Sequence, residues 1–314
     1  MSGSIREVLR GSMFGKDGTA QGIAKQRLIE SLAQPDKRII NDPFAEKFVL
    51  GAGFIKLLGH SLNVWLAQWL IPGFHEHIIA RTRLVDDFVE QSAVNGVEQY
   101  VILGAGYDSR AHRLRLPSTL RVFEIDQQEV LARKRAKLCK EYPNSKAVTY
   151  VAIDFAHQSI SDQLVKSGFD QSKATVFTLE GVSQYITKEA LTATIEEVSM
   201  LVRNARSVFF LSYASDLLST NPEACFGKGY PRAEMRARLI TYGSAKVGEP
   251  WVAFYRADEI ENILSQNGYR VKENLTLKDL NSRYFAPVGR ALAENQLFQL
   301  EHFVIAHSQG GSND

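Results

Sequence analysis

Residues 99–110 read QYVILGAGYDSR: an apolar, β-prone run from Tyr100 to Leu103, then Gly104 and Gly106, then an acid and a base, Asp108 and Arg110. A short apolar run closed by glycines predicts a strand that turns directly into a helix. The same kind of run recurs downstream, as LRVFEID at 120–126, AVTYVAID at 147–154, ATVFTLEG at 174–181 and RSVFFLSY at 206–213. Helical patterns lie between them. The clearest spans 187–203, where Thr187 can cap and Leu191, Ile195, Val198 and Val202 fall on one face. This alternation predicts parallel strands joined by right-handed crossovers, hence a doubly wound α/β sheet.

After residue 213 the rhythm breaks. Pro222, Pro231, Pro250 and several glycines within 214–256 predict an insertion folding over the sheet's edge, with RAEMRARLITYG as its helical piece. Asp258 with Glu261 then predicts a helix start before Ile260, Ile263 and Leu264, and YRVKENL (269–275) and LEHFVIA (300–306) complete seven strands. The first 95 residues are mainly helical by pattern and are expected to pack as a cap. The expected organisation is a cap at 1–95, a core of 96–213 and 257–307, an inserted lid at 214–256 and a disordered tail at 308–314.

Composition narrows the function classes. With 314 residues and 45% hydrophobic content the chain can bury a sizeable core. Its 37 Lys and Arg against 35 Asp and Glu give no electrostatic case for a nucleic-acid partner. Cys139 and Cys225 form no CxxC pair and suggest reduced thiols in a cytoplasmic protein, and the N-terminus lacks the apolar core of a secretory signal. The stretch 53–73 is interrupted by Lys56, His60, Asn63 and Gln68, so a buried or half-buried helix is expected there rather than a membrane span. Its Leu57, Leu58, Leu62, Trp65, Leu66 and Trp69 have the spacing of a covering helix, and Trp65 and Trp69 favour an enclosed chamber. RKRAKLCK at 133–140 reads as a solvated helix face.

In an open parallel sheet small molecules bind beyond the carboxyl ends of the strands. Gly104, Ala105 and Gly106 occupy the first such turn, where missing Cβ atoms let a ligand lie against the main chain. Asp126 ends the second strand 20 positions after Gly106, where a carboxylate can take both ribose hydroxyls, with Gln127 beside it. That spacing fits nicotinamide cofactors and S-adenosylmethionine alike. Two features separate them. The turn continues Tyr107-Asp108-Ser109 where a dinucleotide fingerprint wants a third small residue, and an acid there repels a pyrophosphate but suits an ammonium group. Asp154 and Phe155 offer an adenine an acceptor and an apolar face, and Glu180 closes the fourth strand.

LGAGYDSRAHRL, FEIDQQEVLARK, the Asp154-Phe155 pair and TLEGVSQYI together resemble the leucine carboxyl methyltransferase family, in its bacterial S-adenosylmethionine-dependent branch. TAQGIAKQRLIES (19–31), INDPFAEKFV (40–49), ARTRLVDDFV (80–89) and RYFAPVGR (283–290) are similar to further elements of that branch, in order along the chain. The resemblance implies a seven-stranded Rossmann-like class I methyltransferase sheet with its last strand antiparallel, and S-adenosylmethionine as cofactor. It implies that Arg81 holds the cofactor carboxylate, that Gly104 underlies the methionine moiety and that Asp126 takes the ribose. By the same resemblance Asp154 and Phe155 take the adenine end, and Glu180 the cofactor or reaction chamber.

Methyl transfer from a sulfonium requires alignment and exclusion of water more than covalent catalysis. A carboxylate acceptor needs no base, whereas a hydroxyl does. Glu180, His75, His77 or a tyrosine could serve, and Tyr185 and Tyr213 stand just past strands four and five. His75 and His77 are two apart, do not share a helix face and show no third ligand in sequence, so no metal site is expected. The leading expectation is O-methylation of a small molecule. A protein C-terminal carboxyl methyltransferase, a nicotinamide-dependent oxidoreductase and a non-catalytic S-adenosylmethionine-binding protein are the alternatives.

Overall fold

The structure, a computed structural model, describes residues 18–138, 148–155, 157–227, 229–246 and 248–309. Seven strands form a single sheet: β1 (Gln99–Leu103), β2 (Arg121–Asp126), β3 (Val148–Ala152), β4 (Thr175–Leu179), β5 (Ser207–Ala214), β6 (Tyr269–Leu275) and β7 (Glu301–Ser308). Their order is β3-β2-β1-β4-β5-β7-β6; β7 inserts antiparallel between β5 and β6, and the other pairings along β3 to β5 are parallel. Chain order reverses between β1 and β4, so their carboxyl ends part and leave a crevice.

The central strands are near-continuous apolar runs because both faces are covered. On one face Tyr100, Ile102, Val176 and Phe210 join Val85 and Phe88. On the other, Val101, Leu103, Phe177 and Phe209 pack against Leu191, Ile195, Val198, Ile260 and Leu264. The helices that supply these layers are α1 (Gly18–Ser31), α2 (Ala52–Leu70), α3 (Phe74–Val94), α4 (Gln128–Leu138), α5 (Ile160–Lys166), α6 (Lys188–Leu201), α7 (Ala233–Lys246) and α8 (Ala257–Gln266), with shorter turns between them. Thr187 caps α6 as expected, its hydroxyl accepting from the Ala190 amide at 3.2 Å.

Three expectations are corrected. The start of α8 is Arg256, not Asp258: the Glu259 carboxylate accepts from the Arg256 amide at 3.0 Å, while Asp258 pairs with the Arg256 guanidinium. The insertion does not fold over the sheet's edge, because β7 lies beside β5. It runs instead over the strand tips, with the Val252 amide donating to Gln184 O at 2.7 Å and the Tyr255 amide to Ala214 O at 2.9 Å.

The third correction concerns α2, whose Leu and Trp stripe faces outward among the described residues; Trp65 and Trp69 stand outside the cavity at the strand tips. Gly59, at φ 69° and ψ 179°, interrupts the helix. Asn63 Nδ2 donates to Ile55 O at 2.9 Å and to Gly59 O at 2.6 Å, meeting carbonyls at the break. The inward side of α2 is set by packing, with Ile55 and Val64 clustered on Leu28 and Ile29 of α1. Among the described residues no helix is long and apolar enough to cross a membrane. β7 extends to Ser308, where the tail was expected to begin; residues 310–314 and Cys139 lie outside the described residues, and Cys225 is a buried free thiol.

Candidate functional site

The crevice at the strand tips opens into a cavity of about 660 Å³, within the range of sites that enclose a small ligand. Its floor is the β1 turn. Gly104 has φ 75° and Gly106 φ 41°, and a Cβ on Gly104 would stand 2.6 Å from Val182 Cγ2. Glycine at 104 is therefore demanded by the segment after β4 as well as by any ligand. Asp126 completes the floor: one carboxylate oxygen accepts from the Gly106 amide and the other from the Gln127 amide, both at 2.7 Å. Burial pushes its pKa up against those two amides. Each oxygen keeps a further lone pair for a ligand donor.

Above the floor lies a buried chain of alternating charge. Arg81, from α3, donates Nε to Glu180 Oε1 at 2.8 Å and Nη1 to Glu301 Oε2 at 2.7 Å. Glu180 Oε2 accepts from Arg110 Nη1 at 2.7 Å, and Arg110 also pairs with Asp108 and, through Nε, with Asp86 at 2.8 Å. Arg113 closes the series on Asp86 with two bonds of 2.6 Å. Burial alone would raise the carboxyl pKa values, yet Arg110 and Arg81 hold Glu180 low, and Arg81 and His77 hold Glu301 at about 2. Among the described residues Arg81 Nη2 takes no protein acceptor.

The motif segments meet here and in the cap. Arg27 donates to Asp42 at 2.8 Å and to the carbonyl of Tyr107 at 2.6 Å, and Ser109 donates to Asp42 at 2.7 Å. Arg290 holds both oxygens of Glu30 at 2.6 and 3.0 Å.

The cavity brings together Arg81, Gly104, Ala105, Gly106, Asp126, Gln127, Phe155, Glu180 and Tyr185. It does not bring in Asp154 or Tyr213. The Asp154 carboxylate is exposed and pairs with His157 at 2.6 Å. Tyr213 is buried beside Tyr255 and His302, and its hydroxyl accepts from Asn274 Nδ2 at 3.1 Å. Tyr185 stands edge-on to Trp251, with its hydroxyl pKa raised by burial. Sequence reasoning did not single out Arg110, Glu301, Gln184 or Trp251 as lining residues. Arg110 lay within the quoted turn motif, while Glu301 carries no local signal.

His75 and His77 turn to different partners: His75 lies 3.1 Å from Glu30 Oε2 and His77 2.9 Å from Glu301 Oε2. Burial lowers the His77 pKa against its carboxylate partner. Glu30, His60 and His75 offer ligand atoms within 4.8 Å of one another, a third ligand not evident in sequence, although Arg290 already occupies that carboxylate.

The strand order with an antiparallel β7 is that of the class I S-adenosylmethionine-dependent methyltransferases. A crystal structure titled "a putative methyltransferase" from Thermobifida fusca YX shares the fold, with TM-score 0.54 and 16% identity over 90% of this chain and 94% of that one. A DUF574 family protein from Streptomyces avermitilis gives TM-score 0.52 and 13% identity, covering 90% and 96%. The chain belongs to the leucine carboxyl methyltransferase family, whose model matches residues 20–199. A Mycobacterium tuberculosis relative named "Putative S-adenosyl-L-methionine-dependent methyltransferase" is 32% identical over 287 residues, 85% of this chain and 87% of the relative. One of the same name from Mycolicibacterium paratuberculosis is 36% identical over 172 residues, 52% of this chain. That match spans 55% of the relative's length.

Proposed function

We propose that this protein is an S-adenosylmethionine-dependent methyltransferase acting on an oxygen, carboxylate or hydroxyl, of a small molecule. The observation that carries the reading is the charge balance of the cavity: four arginines and six carboxylates line it, suiting a ligand with net positive charge. Arg81, through Nη2, would hold the cofactor carboxylate and Asp108 would face its ammonium group. Gly104, Ala105 and Gly106 would lie against its backbone, Asp126 with Gln127 would take the ribose, and Phe155 the adenine face. When bound, the cofactor supplies an electrophilic methyl group on a sulfonium. The chain's task is to align an acceptor oxygen in line with it and to keep water out.

Glu180 is a weak base while Arg110 and Arg81 hold its pKa down, and the raised pKa of Tyr185 keeps that phenol protonated, so it can donate but not abstract. With neither group able to take a proton from it, an acceptor that needs no base, such as a carboxylate, fits this reading best. Phe74, Ile78, Ile186 and Trp251 add an apolar wall, which favours an acceptor with an apolar body. Gly248, Glu249 and Trp251 of the inserted segment line the cavity, which favours a small molecule over a protein C-terminus. A cytoplasmic setting is part of the same reading, supported by the free thiol of Cys225.

Calorimetry with S-adenosylmethionine, S-adenosylhomocysteine and NAD is the first test: the first two bind and NAD does not. Incubation with S-adenosylmethionine and panels of carboxylic acids and phenols should then give methylated products by mass spectrometry. Methylation confined to peptide C-termini would replace the small-molecule assignment. Binding of NAD alone would overturn the class.

A further inference from the structure

The outward face of α2 presents Phe54, Leu57, Leu62, Trp65, Leu66 and Trp69 to solvent, with Leu57 80%, Trp65 59% and Trp69 72% exposed. Beyond the break at Gly59, Leu62, Trp65, Leu66 and Trp69 follow the i, i+3, i+4, i+7 spacing of one continuous stripe. The six side chains leave on the order of 800 Å² of apolar surface open, more than the largest patch of a typical monomer. It matches the roughly 800 Å² that one partner gives to a standard interface. No described residue packs over this stripe.

We propose that α2 is a self-association face, pairing with the same face of a second copy about a two-fold axis. Charge selects that partner. Within α2 the single Lys, Arg, Asp or Glu is Lys56, and it is paired with Glu46 at 2.7 Å. An isologous contact places a surface against itself, so a face bearing net charge would repel its copy, and this one has none to repel with. An anionic lipid surface would instead call for clustered Lys or Arg beside the apolar stripe, and α2 has none. Trp65 and Trp69 are the residue type that anchors interfaces, and their spacing lets two stripes interlock as in a coiled-coil seam. The other side of α2 is fixed through Ile55, which packs on Leu28, Ile29 and Ala45, so pairing requires no refolding.

The test is sedimentation velocity on the full chain across a concentration series. The wild type is expected at about twice its 35.1 kDa mass, and Trp65→Glu/Trp69→Glu should raise the dimer dissociation constant by on the order of a hundredfold. That variant should retain its far-UV circular dichroism, melting temperature and S-adenosylhomocysteine affinity, since neither residue lines the cavity. Val94→Glu, an exposed apolar position on α3, is the control and should leave the dimer intact. A wild type that stays monomeric at tens of micromolar, or a dimer unaffected by the double substitution, would overturn the proposal. So would a monomer that floats with neutral phosphatidylcholine vesicles, which would give the face to a lipid surface.

Discussion

Asp126 is the residue on which the ribose assignment can be broken. Its two oxygens each accept one backbone amide at 2.7 Å, which fixes the carboxylate against the glycine turn and leaves lone pairs toward the cavity. A charge-assisted hydrogen bond to a ligand hydroxyl is worth about 1–3 kcal/mol net, so Asp126→Ala should weaken S-adenosylhomocysteine binding by roughly 5- to 150-fold. The same change strands the Gly106 and Gln127 amides, so part of the loss could come from a relaxed turn. Asp126→Asn separates the two, since its carbonyl oxygen still accepts while its NH2 group cannot. Calorimetry well below the melting temperature should give Asn an intermediate loss of about 1 kcal/mol, with a ligand-free melting temperature nearer to wild type than that of Ala. The pH dependence adds a signature. Because burial raises the Asp126 pKa, protonation competes with the ligand at higher pH than for an ordinary aspartate. Wild-type affinity should therefore fall on acidification sooner than that of Asp126→Ala. Affinities within twofold of wild type for both variants would refute the ribose contact.

Gly104→Ala should cost about 1–3 kcal/mol of stability, from a Cβ 2.6 Å from Val182 Cγ2 and a left-handed φ of 75°; adding Val182→Ala should recover the clash but not the φ penalty in denaturant titration. Glu301 has its pKa held at about 2, below its unfolded value, so its contribution is complete above the unfolded pKa and is lost as pH falls toward 2. Glu301→Gln should accordingly flatten the acid limb of stability against pH between about 4.5 and 2, seen by circular dichroism. Thr187→Ala should remove about 1 kcal/mol of stability by loss of the α6 cap and leave S-adenosylhomocysteine affinity unchanged in calorimetry. For a carboxylate acceptor, kcat should stay flat from neutral to alkaline pH in an S-adenosylhomocysteine-release assay, whereas a rise tracking acceptor ionisation would indicate a hydroxyl.

The strands were legible because each central one is an apolar run buried on both faces and stopped by glycine or acid, as at Leu103-Gly104 and Leu179-Glu180. Asp126 could be located in the same way, as the acid that closes β2, whereas the acid after β3, Asp154, pairs with His157 outside the cavity and its neighbour Phe155 lines it. The orientation of α2 was not legible. Periodicity gives a stripe but not which side of the helix meets the protein, and the packing of Ile55 and Val64 on Leu28 and Ile29 settled that through contacts no local pattern marks. Tyr185 and Tyr213 looked equivalent in sequence. The first lies beyond β4 in a turn that bends over the crevice, whereas the second still belongs to β5, whose pleat sends it to Asn274. Arg81 was identified by motif alone, and its partner Glu301 lies 220 positions away with nothing local to announce it.

The run of alternating ions from Arg113 to His77 also fixes what can be cut from this molecule. Asp86 and Arg81 come from α3, while Arg110, Asp108, Glu180 and Glu301 come from the sheet and its turns. A fragment beginning near residue 96 would strand several charges in an interior built to neutralise them, and buried ions robbed of their counterparts cost several kcal/mol each. The helical entry segment and the strand scaffold are thus expected to unfold together, and any chimera exchanging the former between relatives must carry Arg81 and Asp86 with it.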